Sequence, residues 1–120
     1  MERRMFHREA LSVNGELKWY TKSRLGRKES HRSFIQTINL SLDGAKIELD
    51  GIYQFEVKSR ARLQLGIAFT DVTVLEVGQE NGFTTLRLVF MAPNTDFIAF
   101  LEENLPTITQ DRQFYEGKWT

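Results

Sequence analysis

The apolar positions of this chain alternate through most of its middle and change period once, near the end. In VKSRARLQLGIAF, Val57, Ser59, Ala61, Leu63, Leu65, Ile67 and Phe69 fall on one side and Lys58, Arg60, Arg62 and Gln64 on the other. That spacing predicts a half-buried antiparallel strand with a kink at Gly66. Val72 to Val77 and Phe83 to Met91 read as strands flanking GQENG, and Asn81-Gly82, both tolerant of positive φ, predicts a tight hairpin between them. Upstream, Ala10 to Tyr20 predicts a first strand with a turn or bulge at Asn14-Gly15. Lys22 to Ser33 reads as a polar loop, and Phe34 to Ile38 and Ile47 to Leu49 resume the strand pattern. After Pro93 the period becomes helical. Asn94 or Thr95 can cap, Asp96 suits the positive end of the dipole, and Phe97, Ile98, Leu101 and Leu105 share a face until Pro106. Five to seven strands and one amphipathic helix predict a small, mainly β antiparallel barrel closed or plugged by that helix, because closure removes exposed edges.

Composition narrows the classes. A chain of 120 residues with 41% hydrophobic content supports one domain with a real core. No apolar run approaches a membrane span, and MERRMFHRE lacks the apolar centre of a signal peptide, so a cytoplasmic location without membrane insertion is expected. There are no cysteines, and His7 and His31 are the only histidines, which leaves a conventional zinc site short of ligands. The net charge of zero hides an asymmetry: residues 1–33 carry nine Lys or Arg against four Glu, and residues 34–120 carry seven against twelve acids. A basic front on an acidic body suggests an anionic partner for the front. For Lys22 to Arg32 alone, a solvated basic loop is the simpler account. The aromatic tail TITQDRQFYEGKWT, with Phe114, Tyr115 and Trp119, can pack back on the barrel, form a self-association surface or lie loose, and packing is the default expectation.

Catalysis finds little support, because no nucleophile elbow, no glycine-rich phosphate loop and no serine, histidine and carboxylate arrangement is present. Two constellations remain. In RRMFHR, Arg4 and Arg8 stand four apart with Arg3 adjacent, and guanidinium groups fork onto phosphates, match guanine acceptors and stack on bases. On spacing alone an ordinary basic tail is the better account, because Arg-x-x-x-Arg occurs often by chance. In NLSLDG, Asn39, Ser41 and Gly44 occupy one corner between two strand runs. Turn chemistry is the structural alternative there, and the match of Asn39-Leu40-Ser41 to a glycosylation acceptor carries no weight without a secretory signal.

Taken together, Arg4-x-x-x-Arg8 ahead of the first strand and Asn39-x-Ser41-x-x-Gly44 between the second and third resemble the PilZ domain, the bacterial receptor module for cyclic di-GMP. The resemblance runs from about Arg3 to Leu105 and implies a six-stranded antiparallel β-barrel with a C-terminal α-helix. It divides the chain into a flexible basic segment (1–9), the barrel with its helix (10–105) and a tail (106–120). It implies that Arg4 and Arg8 grip guanine edges and phosphates, that Asn39 and Ser41 bond a guanine from the barrel surface, and that Gly44 serves the turn and gives the ligand room. An arginine at the Arg3 position is associated in that family with a stacked pair of ligand molecules. LRLVF, Leu86 to Phe90, departs from the family where many members carry a glycine before the last strand's final apolar residues. The implied protein is a non-catalytic receptor without a cofactor that changes conformation on binding cyclic di-GMP and signals to an unidentified downstream protein. Monomer and homodimer stay open. One alternative is an interaction adaptor of the same fold without ligand. Another is a single-stranded nucleic-acid barrel, disfavoured by the acidic body and by Trp19, Tyr20 and Phe34 reading as core positions.

Overall fold

A computed structural model describes residues 12–104. Six strands, β1 (Asn14–Lys22), β2 (Lys28–Leu40), β3 (Gly44–Asp50), β4 (Arg60–Leu65), β5 (Ala68–Glu80) and β6 (Phe83–Met91), precede one helix, α1 (Thr95–Asn104). They close into an antiparallel barrel in the order β1-β2-β3-β6-β5-β4, with β4 returning to pair with β1. The predicted fold class is therefore the observed one, and the ring leaves no open edge.

Alternation fills the interior. Leu17 and Trp19 of β1, Ile47 and Leu49 of β3, Leu63 and Leu65 of β4, and Leu86, Leu88 and Phe90 of β6 all point inward and are buried. Asn94 caps α1, accepting the Phe97 N–H on its side-chain oxygen at 2.8 Å and the Ile98 N–H on its carbonyl at 3.0 Å. The helix turns Phe97 and Leu101 into one end of the barrel, where the Phe97 ring meets Phe90 edge-on at 5.0 Å. Toward the other end of β4, Trp19 is covered by Tyr53 and Phe55 of the β3–β4 connection, with ring centroids 5.4 and 4.8 Å away. Buried Thr84 pins that connection by donating to the Gly51 carbonyl (2.8 Å) and accepting the Tyr53 N–H (2.9 Å). No helix among the described residues is long and apolar enough to cross a membrane.

The chain departs from the sequence expectations in four places. Only residues 23–27 of the expected Lys22 to Ser33 loop turn; Lys28 to Ser33 pair with β1 in register from Lys22↔Lys28 to Leu17↔Ser33. Val57 to Phe69 is not one kinked strand, because Gly66 (φ 61°) and Ile67 form a two-residue turn and Leu65 pairs with Ala68. Val57, Ile67 and Phe69 accordingly lie exposed instead of inward. Gly15 is no turn either. It sits within β1, where a Cβ would come 2.4 Å from the Gln64 carbonyl oxygen, so glycine there lets β4 approach and the barrel close. Finally, Trp19 is core as expected, but Tyr20 (59% exposed) and Phe34 (84% exposed) face solvent. The Asn81-Gly82 hairpin forms as predicted, with φ of 51° and 80°.

Candidate ligand-binding site

The corner NLSLDG is set up by a β-bulge. Along β2, Thr37 pairs with Ile47, Asn39 with Lys46 and Leu40 with Ala45, leaving Ile38 as the extra residue. Ile35 and Thr37 point inward, and strict alternation would send Asn39 in after them. The inserted Ile38 resets the parity, so Leu40 becomes the buried residue and Asn39 shares the outer face with exposed Lys46.

A second bulge completes the pattern. On β5 the register slips between Val74 and Glu76, leaving Leu75 extra, and Glu76 comes opposite Arg87. Arg87 in turn stands opposite Lys46. Both bulges thus adjoin one cross-strand row, Asn39, Lys46, Arg87 and Glu76, running over β2, β3, β6 and β5. At one end of the row the Arg87 Nη1 lies 3.4 Å from the Glu76 carboxylate. At the other end the Asn39 Oδ1 is enclosed and has no hydrogen-bond partner among the described residues. An enclosed acceptor left unbonded costs about 1–3 kcal/mol, which sets Asn39 apart from the well-satisfied corner beside it.

Ser41 and Gly44 do different work. The expectation of an outward Ser41 meets a fully buried residue. Its N–H donates to the Gly44 carbonyl at 3.0 Å. Its hydroxyl accepts the Gly44 N–H at 3.3 Å and donates to the Asp43 carboxylate, with the Gly44 carbonyl 3.2 Å away. The corner therefore satisfies itself through one side chain. Gly44 does not adopt positive φ; a Cβ there would lie 2.2 Å from the Leu88 carbonyl oxygen of β6. Its lack of a side chain gives room to a neighbouring strand. The Asp43 carbonyl completes the joint by accepting the Phe90 N–H at 2.9 Å.

The structure thus gathers Asn39, Ser41 and Gly44 in one corner but in two layers, Asn39 outside and the other two within. Arg3, Arg4 and Arg8 lie outside the described residues. Lys46 and Arg87, which share the row with Asn39, were missed in the sequence. Alternation from Gly44 and within Leu86-Arg87-Leu88 turns both outward, but nothing in the letters aligns them with Asn39. His31, the one histidine among the described residues, is structural: it stacks on Trp19 at 5.5 Å and bonds the Thr21 hydroxyl at 2.7 Å. No group of three or more histidines or carboxylates able to hold a metal ion occurs among the described residues.

No protein-family model and no curated protein matches the sequence. Among solved structures, the fold is similar to that of YcgR from Escherichia coli in complex with c-di-GMP, with a TM-score of 0.55 and 12% identity. The alignment covers 99% of this chain and 51% of that one, so the chain spans about half the length of YcgR. At that identity the likeness speaks for the fold alone.

Proposed function

We propose that this chain is a PilZ-type receptor that binds cyclic di-GMP between its amino-terminal arginines and the outer face of the barrel at Asn39. The observation that carries this reading is the Asn39 oxygen, which has no hydrogen-bond partner among the described residues, at the end of a row that also holds Lys46 and Arg87. An acceptor beside cations complements a ligand that brings N–H donors on a guanine and negative charge on phosphates. Arg3, Arg4 and Arg8 supply further guanidinium groups from the other side, with Arg3 positioned in sequence to engage a second ligand molecule. Fold similarity to YcgR, whose solved complex contains c-di-GMP, supports the same reading.

In this account Ser41 and Gly44 act through the corner they build, which fixes where Asn39 stands, and the direct contacts fall to Asn39 and the arginines. The ligand draws the basic segment onto the barrel, so binding and ordering are one event. The output is a changed surface read by a partner protein in the cytoplasm, with no reaction catalysed.

Calorimetry with cyclic di-GMP tests the proposal. Arg4→Ala, Arg8→Ala and Asn39→Ala should each abolish or sharply weaken binding while leaving the folded barrel intact. Full affinity in all three variants would remove the assignment. Amide shifts in a ligand titration should move together in Arg3 to Arg8 and in Asn39 to Gly44, as two halves of one site.

A further inference from the structure

The strongest concentration of charge lies away from that row, on the hairpin joining β1 and β2. Between Lys18 and Arg32 the chain carries Lys18, Lys22, Arg24, Arg27, Lys28 and Arg32 against Glu29 alone. The turn at its end is built, with the Ser23 N–H donating to the Arg27 carbonyl at 2.8 Å and the Gly26 N–H to the Ser23 carbonyl at 2.9 Å. The Ser23 hydroxyl accepts the Arg27 N–H at 3.1 Å, and Gly26 takes φ 76°. At the tip, between Arg24 and Arg27, stands Leu25, 84% exposed.

Closure of the barrel adds cations from the body of the chain. Trp19 pairs with Ala61 and Lys18 with Arg62, which brings Arg60 and Arg62 of β4 beside the hairpin. Two open clefts of about 370 and 410 Å³ flank β1 and share Lys18 and Tyr20 in their walls; Arg60 and Arg62 line the first and Arg32 the second. Carboxylates offset part of this charge, Asp71 at 3.3 Å from Arg62 and Glu16 at 3.6 Å from Arg32 and 3.9 Å from Lys18. The four cations nearest the tip, Lys22, Arg24, Arg27 and Lys28, have no ion-pair partner among the described residues.

We propose that this hairpin docks the protein on an anionic lipid surface, with Leu25 entering the interface and the surrounding Lys and Arg side chains meeting the headgroups. Two observations select this occupant. An exposed leucine held at the end of a basic projection matches a surface that is apolar a few ångströms beneath a layer of negative charge. A single nucleic-acid strand would instead need free aromatic faces for its bases. Lys28 Nζ sits 4.0 Å from the Tyr20 ring centroid and the Arg62 guanidinium 4.9 Å from that of Phe69, so both rings already carry cations, and the exposed Phe34 lines a cleft with Glu48 and Asp50, whose charge repels a polyanion.

The test uses the full chain without nucleotide and sediments it with vesicles of phosphatidylcholine alone or of phosphatidylcholine with phosphatidylglycerol. Binding is expected only with the anionic vesicles and should disappear at about 1 M salt, where the Debye length is about 3 Å. At about fivefold per lost cation, the double variant Arg24→Glu with Arg27→Glu should weaken partitioning at least about 25-fold. Leu25→Ser should weaken it about tenfold without altering the thermal transition, because the side chain touches no core. Vesicle binding that survives in both variants would overturn the proposal, since RRMFHR would then be its source. Equal binding to neutral vesicles would overturn it, as would capture of a single-stranded oligonucleotide with no vesicle binding. Because no cyclic di-GMP is added, the result is separable from the receptor reading.

Discussion

The two bulges flanking the β3–β6 pair are the same device put to different ends. Each inserts one residue, Ile38 on β2 and Leu75 on β5, and each turns the next side chain to the outer face beside the same row. On β5 the re-aimed group finds a partner within the protein, since the exposed Glu76 carboxylate meets the Arg87 Nη1 at 3.4 Å. On β2 the result is an enclosed oxygen without a donor among the described residues. A bulge by itself therefore does not mark a site; what distinguishes β2 is that its re-aimed group is left unsatisfied.

The most disruptive way to break this comparison is to delete Ile38. Asn39 would then follow Thr37 directly, still outward with Leu40 still inward, so the kink is lost while the parity is kept. A loss of roughly 3 kcal/mol is expected in denaturant titration as the straightened strand pulls on the NLSLDG corner, together with weakened ligand binding. Gly44→Ala should come next. Its Cβ would press on the Leu88 backbone, for an expected loss of about 2–3 kcal/mol, and the bulge would survive only if β3 and β6 moved apart. Ser41→Ala removes the hydroxyl that bonds the Gly44 N–H and the Asp43 carboxylate, and about 1–2 kcal/mol should be lost in the same titration.

The two row ends separate at the smallest scale. Glu76→Ala should cost less than about 0.5 kcal/mol, since its carboxylate is 69% exposed and well screened. Asn39→Ala should leave stability unchanged or raise it slightly, because it removes a buried acceptor that bonds nothing among the described residues, while calorimetry records the loss of ligand affinity. A destabilised Asn39→Ala would mean that the oxygen serves the fold, and the contrast between the bulges would vanish.

Much of the fold was legible because local chemistry and tertiary structure agree. Asn81-Gly82 forces a hairpin through positive φ, and Asn94 caps through its own side chain, whatever surrounds them. Positions fixed by the partner strand were not legible. Gly15 and Gly44 look like turn residues in the sequence, yet each is required because another backbone passes where a Cβ would stand. Phe34 and Thr37 exchange the burial their polarity suggests, Phe34 outside and Thr37 within, since barrel closure sets the parity of β2. The candidate site was half legible for the same reason. The residue types at Asn39, Ser41 and Gly44 were readable, but their division into an outward group and a buried joint depends on Ile38, which has no signature of its own.

Trp19 gives the barrel a built-in optical reporter. It pairs with Ala61 across the β1–β4 seam, the contact between strands distant in sequence that completes the ring, and it is shielded by Tyr53 and Phe55. With Trp119 replaced by Phe, Trp19 is the chain's single tryptophan. Its emission in stopped-flow refolding should then shift to the blue only when the seam shuts, later than signals from the β5–β6 hairpin, because non-local pairing carries the larger loop-closure entropy.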